Sequence, residues 1–576
     1  MSFDGSTLPR EYSRRFLPAK TDLSDVGRLQ GFFDQLQKRP IGGKEDLEKW
    51  LSDESELLGA VSEEQSIRYI RMTCQTDDSA REKAYLDFVE RIEPEVKKRV
   101  FELDRKYLAS PARKQLPPEN YSVLDRRREN SASLFREANV ELEKEETKLG
   151  NEYQKTTGSM TVSYNGRENT MQQIARYLEE TNRSVREETW TLAEQRRLKN
   201  RDELDELYDR LIELRARVAK NAGFDNYRDY MFRKMARFDY TKEDCFQYHE
   251  AIEKHIVPLV REIDEDRRDK LDTDPLRPWD LVVDPEGRSP LRPFKTGAEL
   301  AQGCERVFEK TDVDFARDFR RMSELALLDL ESRKGKAPGG YNTELMEARL
   351  PFIFMNGVGR DLDLRTLLHE AGHAFHVFAT RKSDMHFLYR GENIPTEFAE
   401  VASQAMEFIA GEHLEGVFYN REENLRTKRE HAIDTLKLLP WVATIDAFQH
   451  WIYTHPGHSR EERREHWLQL RERFGGIESY TGFEESARSR WQRQLHLYLV
   501  PFYYIEYGIA MLGALGIWMN YRKNPKKALE QYKSALKLGG SRPLPELFKT
   551  AGVPFEFGPE TVAPYAHQLG SILKST

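Results

Sequence analysis

The chain has 576 residues, with 90 Lys and Arg against 98 Asp and Glu, so a composition that is 33% charged leaves a formal charge of only −8. That balance argues against a polybasic nucleic-acid surface, and 39% hydrophobic residues in a chain this long fill a packed interior, which excludes global disorder. Cys74, Cys245 and Cys304 stand far apart with no CxxC pair, so neither a disulfide framework nor a thiolate zinc site is expected. The N-terminus mixes acidic, basic and proline residues where a secretory signal needs an unbroken apolar run, and the expectation is a cytoplasmic protein with reduced thiols.

In chain order, the first elements are helices. Residues 78–107 and 126–149 are rich in Glu, Lys and Arg and predict long helices laced by side-chain pairs, their charge runs forming solvated faces. Residues 160–164 (MTVSY), followed by Asn165-Gly166, have the side chains of a strand and the dipeptide of a tight hairpin turn. Helix returns at 202–222, where Leu204, Leu207, Leu211 and Leu214 recur at intervals of three and four. Loop residues cluster at 111–119, 272–293, 335–342 and 455–460. A second strand is predicted at 350–356 (LPFIFMN), directly before the strongest motif of the chain. The expected fold is mainly α: a large multi-helix protein with a small β-sheet beside the active site. It divides near residue 195 into an N-terminal helical region (1–195), with a hairpin near 160–168, and a catalytic region (196–576).

The motif is His369-Glu370-Ala371-Gly372-His373, an HExxH in a helix-compatible, mostly apolar setting. Residues four apart on a helix differ by about 40° in direction and about 6 Å in rise, so His369 and His373 can present both imidazoles to one tetrahedral metal, with Glu370 beside the water such a metal activates. Two histidines and a glutamate among Leu, Ala, Gly and Phe are costly to bury without a shared partner. His376 and His386 lack ligand spacing to this pair and are expected to pack near it.

A third ligand separates the zinc-peptidase classes. The metzincin pattern needs Gly and then His after the second histidine, where this chain has His376 and Ala379. The alternative is a carboxylate from a later helix. Over residues 395–407, Phe398, Ala402, Ala405 and Ile409 form an apolar face while Glu397, Glu400, Gln404 and Glu407 share the other. Glu400 is favoured over Glu397, because Gln404 one turn on can hydrogen-bond it as a supporting residue.

The last apolar stretch, 499–519, is about long enough to span a bilayer, with Glu506 as its only charge. Pro501 and the group Tyr503, Tyr504, Glu506 and Tyr507 fit a buried helix better, so no membrane partner is expected. Tyr504 and Tyr507 are then one turn apart and aim two hydroxyls into one cleft.

With these residues in place the chain resembles the thimet-type oligopeptidases, particularly their oligoendopeptidase F-like branch. Three blocks carry the resemblance: 369–376, 397–404 (EFAEVASQ) and 496–507 (HLYLVPFYYIEY), with further likeness at 165–186 and 277–294; it extends over about residues 160–570. The resemblance implies one Zn²⁺ per chain held by His369, His373 and Glu400, Glu370 as general base, and His496, Tyr504 and Tyr507 stabilising the transition state, with Tyr503 beside them. It also implies a deep central channel that admits short unfolded peptides, whose internal bonds are hydrolysed. Ile353, Phe354 and Met355 are the expected substrate strand, to which an extended peptide adds through main-chain hydrogen bonds; a buried core strand is the other reading of the same run. Two alternatives stand beside this one: a zinc exopeptidase trimming peptide ends, and a helical peptide-binding protein without turnover. Nothing in the sequence sets the oligomeric state.

Overall fold

The structure is a computed structural model that describes residues 3, 5, 8–333, 335–337, 339–390 and 394–575. It is mostly helical, as expected. The chain runs through α1 (Lys44–Cys74), α2 (Glu137–Gly158), the hairpin β1 (Thr161–Tyr164) and β2 (Arg167–Thr170), and helices α3 (Arg201–Asn221) and α4 (Lys242–His255). Strands β3 (Leu328–Glu331), β4 (Tyr341–Leu345) and β5 (Leu350–Gly357) follow, then α5 (Asp361–Thr380), α6 (Thr396–Gly411), α7 (Arg421–Thr454) and α8 (Ile505–Lys523), with further helices before, between and after them.

Two compact units form. The first gathers Met1–Ser133, Leu291–Asn424 and Gly513–Phe555, the second Leu134–Pro290, Leu425–Leu512 and Glu556–Thr576. Neither begins or ends near residue 195. The first unit has a core in which Leu29, Phe33, Trp50, Leu51 and Tyr107 are fully or almost fully buried. In the second, α3 buries Leu204, Leu207, Leu211 and Leu214 along the face that their spacing predicts.

Two of the long helices are interrupted. Residues 78–107 break at Ile92 into Ser79–Arg91 and Glu93–Ala109, because Pro94 lacks the N–H that a continuous helix needs and is tolerated only in a first turn. Residues 126–149 break after Leu134, and α2 starts at Glu137. The hairpin forms on Asn165 and Gly166, both at positive φ (53° and 71°), the backbone a two-residue turn between twisted strands requires.

The three-stranded sheet has the order β3-β5-β4, with β5 parallel to β3 and antiparallel to β4. This corrects the expectation of a peptide-binding edge at Ile353, Phe354 and Met355. Both edges of β5 are already hydrogen-bonded, and these three side chains are exposed by 0%, 0% and 2%. A continuous apolar run is what a strand covered on both faces needs. Helix α5 follows β5 directly and packs on it, so the sheet is the floor from which the HExxH helix rises.

None of the described helices is long and apolar enough to cross a membrane. The apolar stretch at 499–519 is also not one helix: Phe502 lies in the left-handed region (φ 66°), and α8 begins only at Ile505, leaving Tyr503 and Tyr504 in a turn before it.

Candidate metal centre

Helices α5 and α6 lie unusually close, and Gly372 is the reason. A Cβ there would stand 2.5 Å from the Ala402 carbonyl oxygen and 2.6 Å from Ser403 Cα, so only glycine lets the two backbones meet. The start of α5 is fixed by Asp363, whose carboxylate accepts from the backbone N–H groups of Val358 and Arg360. Tyr532 holds the other helix by donating to the Ala402 carbonyl at 2.7 Å.

At this crossing His369 and His373 place their rings 5.0 Å apart, 81° from coplanar, on one face of α5. Glu400 reaches them from α6: its Oε2 lies 3.4 Å from His369 Nε2 and 3.8 Å from His373 Nε2. One ligand atom from each of the three residues falls within 4.8 Å of the others. Two imidazoles and one carboxylate are a zinc donor set, and their closeness fits a shared ion. The imidazoles keep 24% and 21% exposure, so water and a substrate can reach them. Glu397 is buried on α6 but outside this group.

The ligand atoms are oriented from behind. His369 Nδ1 lies 2.7 Å from Glu407 Oε1, which places the ring proton on Nδ1 and turns Nε2 toward Glu400. Ser403 Oγ donates both to Glu400 Oε2 and to the Glu400 carbonyl, each at 3.0 Å. The supporting residue is therefore Ser403 and not Gln404, whose buried Oε1 has no hydrogen-bond partner. A short side chain three residues on can fold back to its own helix and still touch the carboxylate. Glu407 and Ser403 are the functional residues that sequence reasoning missed. Glu407 carried a signal, since residues seven apart share a helix face.

Burial pushes the Glu370 carboxyl up to about 7, with the neighbouring Glu400 and Glu407 adding to it and His369 opposing. A carboxyl near 7 exchanges protons readily at neutral pH. Burial holds the His373 imidazole down at about 4, neutral and able to ligate. At His369 burial acts in the same direction, but hydrogen bonds to Glu400 and Glu407 outweigh it and raise the pKa. Asn342, on β4, donates to the Glu370 carbonyl at 3.2 Å and ties the sheet to this turn of α5.

The two nearby histidines are structural. His376 is buried against the Phe398 ring. His386 bridges the Thr380 carbonyl and Glu344, which also takes Arg390 Nε at 3.0 Å.

His496, Tyr503, Tyr504 and Tyr507 belong to the second unit and form one aromatic group. His496 lies 4.7 Å from Tyr504 and 6.0 Å from both Tyr503 and Tyr507, centroid to centroid, and Tyr507 is 5.2 and 5.5 Å from the other two tyrosines. The turn that holds them is pinned by Arg237, which donates to the Phe502 carbonyl and pairs with Glu506 at 2.9 Å. The His496 tautomer follows from its neighbours. The Trp441 indole N–H can only donate, and it meets Gln494 Oε1 at 3.0 Å, so the Gln494 amide N–H₂ faces His496 Nδ1 at 2.7 Å. Nδ1 accepts, and Nε2 carries the proton as a donor. Burial lowers the His496 pKa and keeps the ring neutral.

The sequence pattern of Peptidase family M3 matches residues 176–560, and that of the Peptidase M3 N-terminal domain matches residues 16–135. Oligopeptidase PepF of Bacillus subtilis (strain 168) is 27% identical over 249 residues, covering 42% of this chain and 35% of that protein. An oligoendopeptidase F homolog of Borreliella burgdorferi is 26% identical over 296 residues, covering 50% and 48%. The matches thus span less than half the length of these curated relatives. Among solved structures, PZ peptidase A with an inhibitor is 28% identical, with a TM-score of 0.87 over 98% of this chain and 99% of that one.

Proposed function

The chain belongs to peptidase family M3, and from that premise we propose that it is a zinc-dependent endopeptidase that hydrolyses internal bonds of short unfolded peptides. The observation that carries this reading is the convergence within 4.8 Å of Glu400, from α6, with His369 and His373, on the helix that also bears Glu370. Zinc bound by these three residues would supply Lewis acidity, activating a water and polarising the scissile carbonyl.

The chain's own groups do the rest. Glu370 takes the proton from the attacking water and passes it to the leaving amine. Glu407 keeps the His369 ring in the tautomer that ligates, and Ser403 steadies Glu400. The oxyanion formed on attack needs hydrogen-bond donors, which we assign to His496 Nε2 and to the hydroxyls of Tyr504 and Tyr507, with Tyr503 as a substrate contact. The three cysteines form no disulfide, which supports residence in a reducing, cytoplasmic compartment.

An internally quenched peptide of about ten residues with both termini blocked tests the reading. Internal cleavage that a chelator abolishes, and that Glu370→Gln lowers by about 10²–10⁴-fold, is the expected result. Cleavage only of peptides with an open end would make the protein an exopeptidase. Wild-type rates in the Glu370→Gln protein would overturn the role of Glu370, and the absence of turnover on any peptide would leave a peptide-binding protein.

A further inference from the structure

Away from the HExxH centre, the second unit contains another pair of helices with chemistry at the same spacing. Helix α4 carries Cys245 and His249, and α7 carries Asp446 and His450, each pair four residues apart and so on one face of its helix. Sγ of Cys245, a carboxylate oxygen of Asp446 and a ring nitrogen of His450 lie within 4.8 Å of one another. All three residues are buried, at 1%, 0% and 4% exposure.

We propose that Cys245, Asp446 and His450 bind a second divalent transition-metal ion of the zinc class, with a structural role in holding α4 to α7.

Hydrogen bonding at this cluster is incomplete in the manner a missing cation predicts. Asp446 Oδ1 and both ring nitrogens of His450 are buried without a hydrogen-bond partner. Native interiors rarely leave such groups unsatisfied, because each has given up its water. Apart from Asp446 Oδ2, 3.3 Å from its Nε2, His450 is faced by apolar rings: Phe246, Phe502 and Phe232 at 5.0, 5.6 and 5.9 Å. Asp446 has no lysine or arginine among its ion-pair partners in the described residues, only His249 at 2.9 Å and His450 at 3.3 Å, both on Oδ2. A buried carboxylate needs a counter-charge or a metal.

The donor chemistry selects the ion. A thiolate, an imidazole and a carboxylate form a mixed S, N, O set of the kind zinc accepts, whereas calcium and magnesium call for oxygen alone. Binding takes the Cys245 proton to solvent, and the thiolate and carboxylate together balance the charge of a divalent ion, so the loaded site is buried neutral. His249 holds Asp446 from behind as Glu407 holds His369, the arrangement by which ligands are oriented. No CxxC marks this site in the sequence; its signature is C-x₃-H on one helix facing D-x₃-H on another. It shares no residue with the HExxH centre and does not depend on the peptidase reading.

The test uses the full chain. A His369→Ala/His373→Ala protein, equilibrated with Zn²⁺ and dialysed, is expected to retain one equivalent of zinc by elemental analysis, against two in the wild type. Cobalt then identifies the ligand. None of the HExxH ligands is a sulfur, so wild-type protein loaded with Co²⁺ should show a thiolate-to-cobalt charge-transfer band that survives Cys74→Ser and Cys304→Ser and disappears in Cys245→Ser. Loss of all zinc from the double variant, absence of the band from the wild type, or its persistence in Cys245→Ser would each overturn the proposal. The wild-type spectrum decides the matter even if Cys245→Ser does not fold.

Discussion

The α5/α6 crossing and the α4/α7 crossing are built from the same parts, a helix with two functional side chains four apart facing a helix with an acid, yet they differ in access. At the first, the imidazoles remain about a quarter exposed, and His369 and Glu400 have supporting hydrogen bonds, from Glu407 and Ser403. At the second, all three donors are buried, phenylalanine rings face His450, and Asp446 Oδ1 and the His450 ring nitrogens have no hydrogen-bond partner. An open, supported set of donors suits exchange of water and substrate; a closed one suits a resident ion. A third cluster shows what makes an ion unnecessary. His386 and Glu344 are buried too, but there Arg390 supplies the cation.

That contrast can be broken by removing the charge that Arg390 meets. Arg390 and His386 hold the Glu344 carboxyl at about 2, against the burial that pushes it up from its ordinary 4.5. A depressed carboxyl contributes stability that is fully present above about pH 4.5 and is lost as the pH falls through about 2. Glu344→Gln should cost about 3–5 kcal/mol at neutral pH, since Arg390 stays buried without its partner, and should flatten the acid limb of stability against pH. Denaturant unfolding between pH 2 and 7 reads both. An unchanged acid limb would mean that the pair contributes nothing and that the comparison with Asp446 fails.

The first crossing can be broken at its closest point. Gly372→Ala sets a methyl group against the Ala402 and Ser403 backbone, so the helices must part. Displacing Glu400 by about 1 Å from the histidines should lower kcat/KM by about 10²-fold. Gly411→Ala, in the same helix α6 with nothing within 4 Å of its added Cβ, is the control and should leave activity unchanged. Equal activity in the two variants would show that the close approach of α5 and α6 does not set the site.

Much of this was legible in the sequence, for reasons that also explain what was not. The helical repeat alone links His369 to His373, and a polar face on an otherwise apolar helix points to Glu400; neither inference needs tertiary structure. The close contact at Gly372 does, because only the packed neighbour shows what a side chain would strike. Central placement of β5 was hidden because its partners, LDLE and YNTEL, have little of a strand's character, and their pairing to β5 is set by tertiary contacts. Tyr503 and Tyr504 read as helix because nothing local marks Phe502 for the left-handed region; the Arg237 bond to its carbonyl, 265 residues away in sequence, holds it there. Gln404 stands a full turn from Glu400, but a serine three residues on is close enough to reach the carboxylate, which helical spacing alone does not reveal.

The finest distinction between the two crossings is the group behind each ligand. Glu407→Gln preserves the size of the side chain while removing the charge that His369 Nδ1 faces at 2.7 Å. An amide is a weaker acceptor and can also present its N–H₂, which would drive the proton to Nε2 and spoil that nitrogen as a ligand. Zinc affinity at the HExxH centre should therefore fall by about 10–100-fold, measured by competition with a chelating dye, while the equivalent bound at Cys245 holds its affinity. His249→Ala should give the reverse pattern, because there the histidine stands behind and the carboxylate ligates. A Glu407→Gln protein with undiminished affinity would show that the α5 backbone alone orients His369, and support from behind would then cease to separate an exchanging site from a resident one, leaving access as the sole difference.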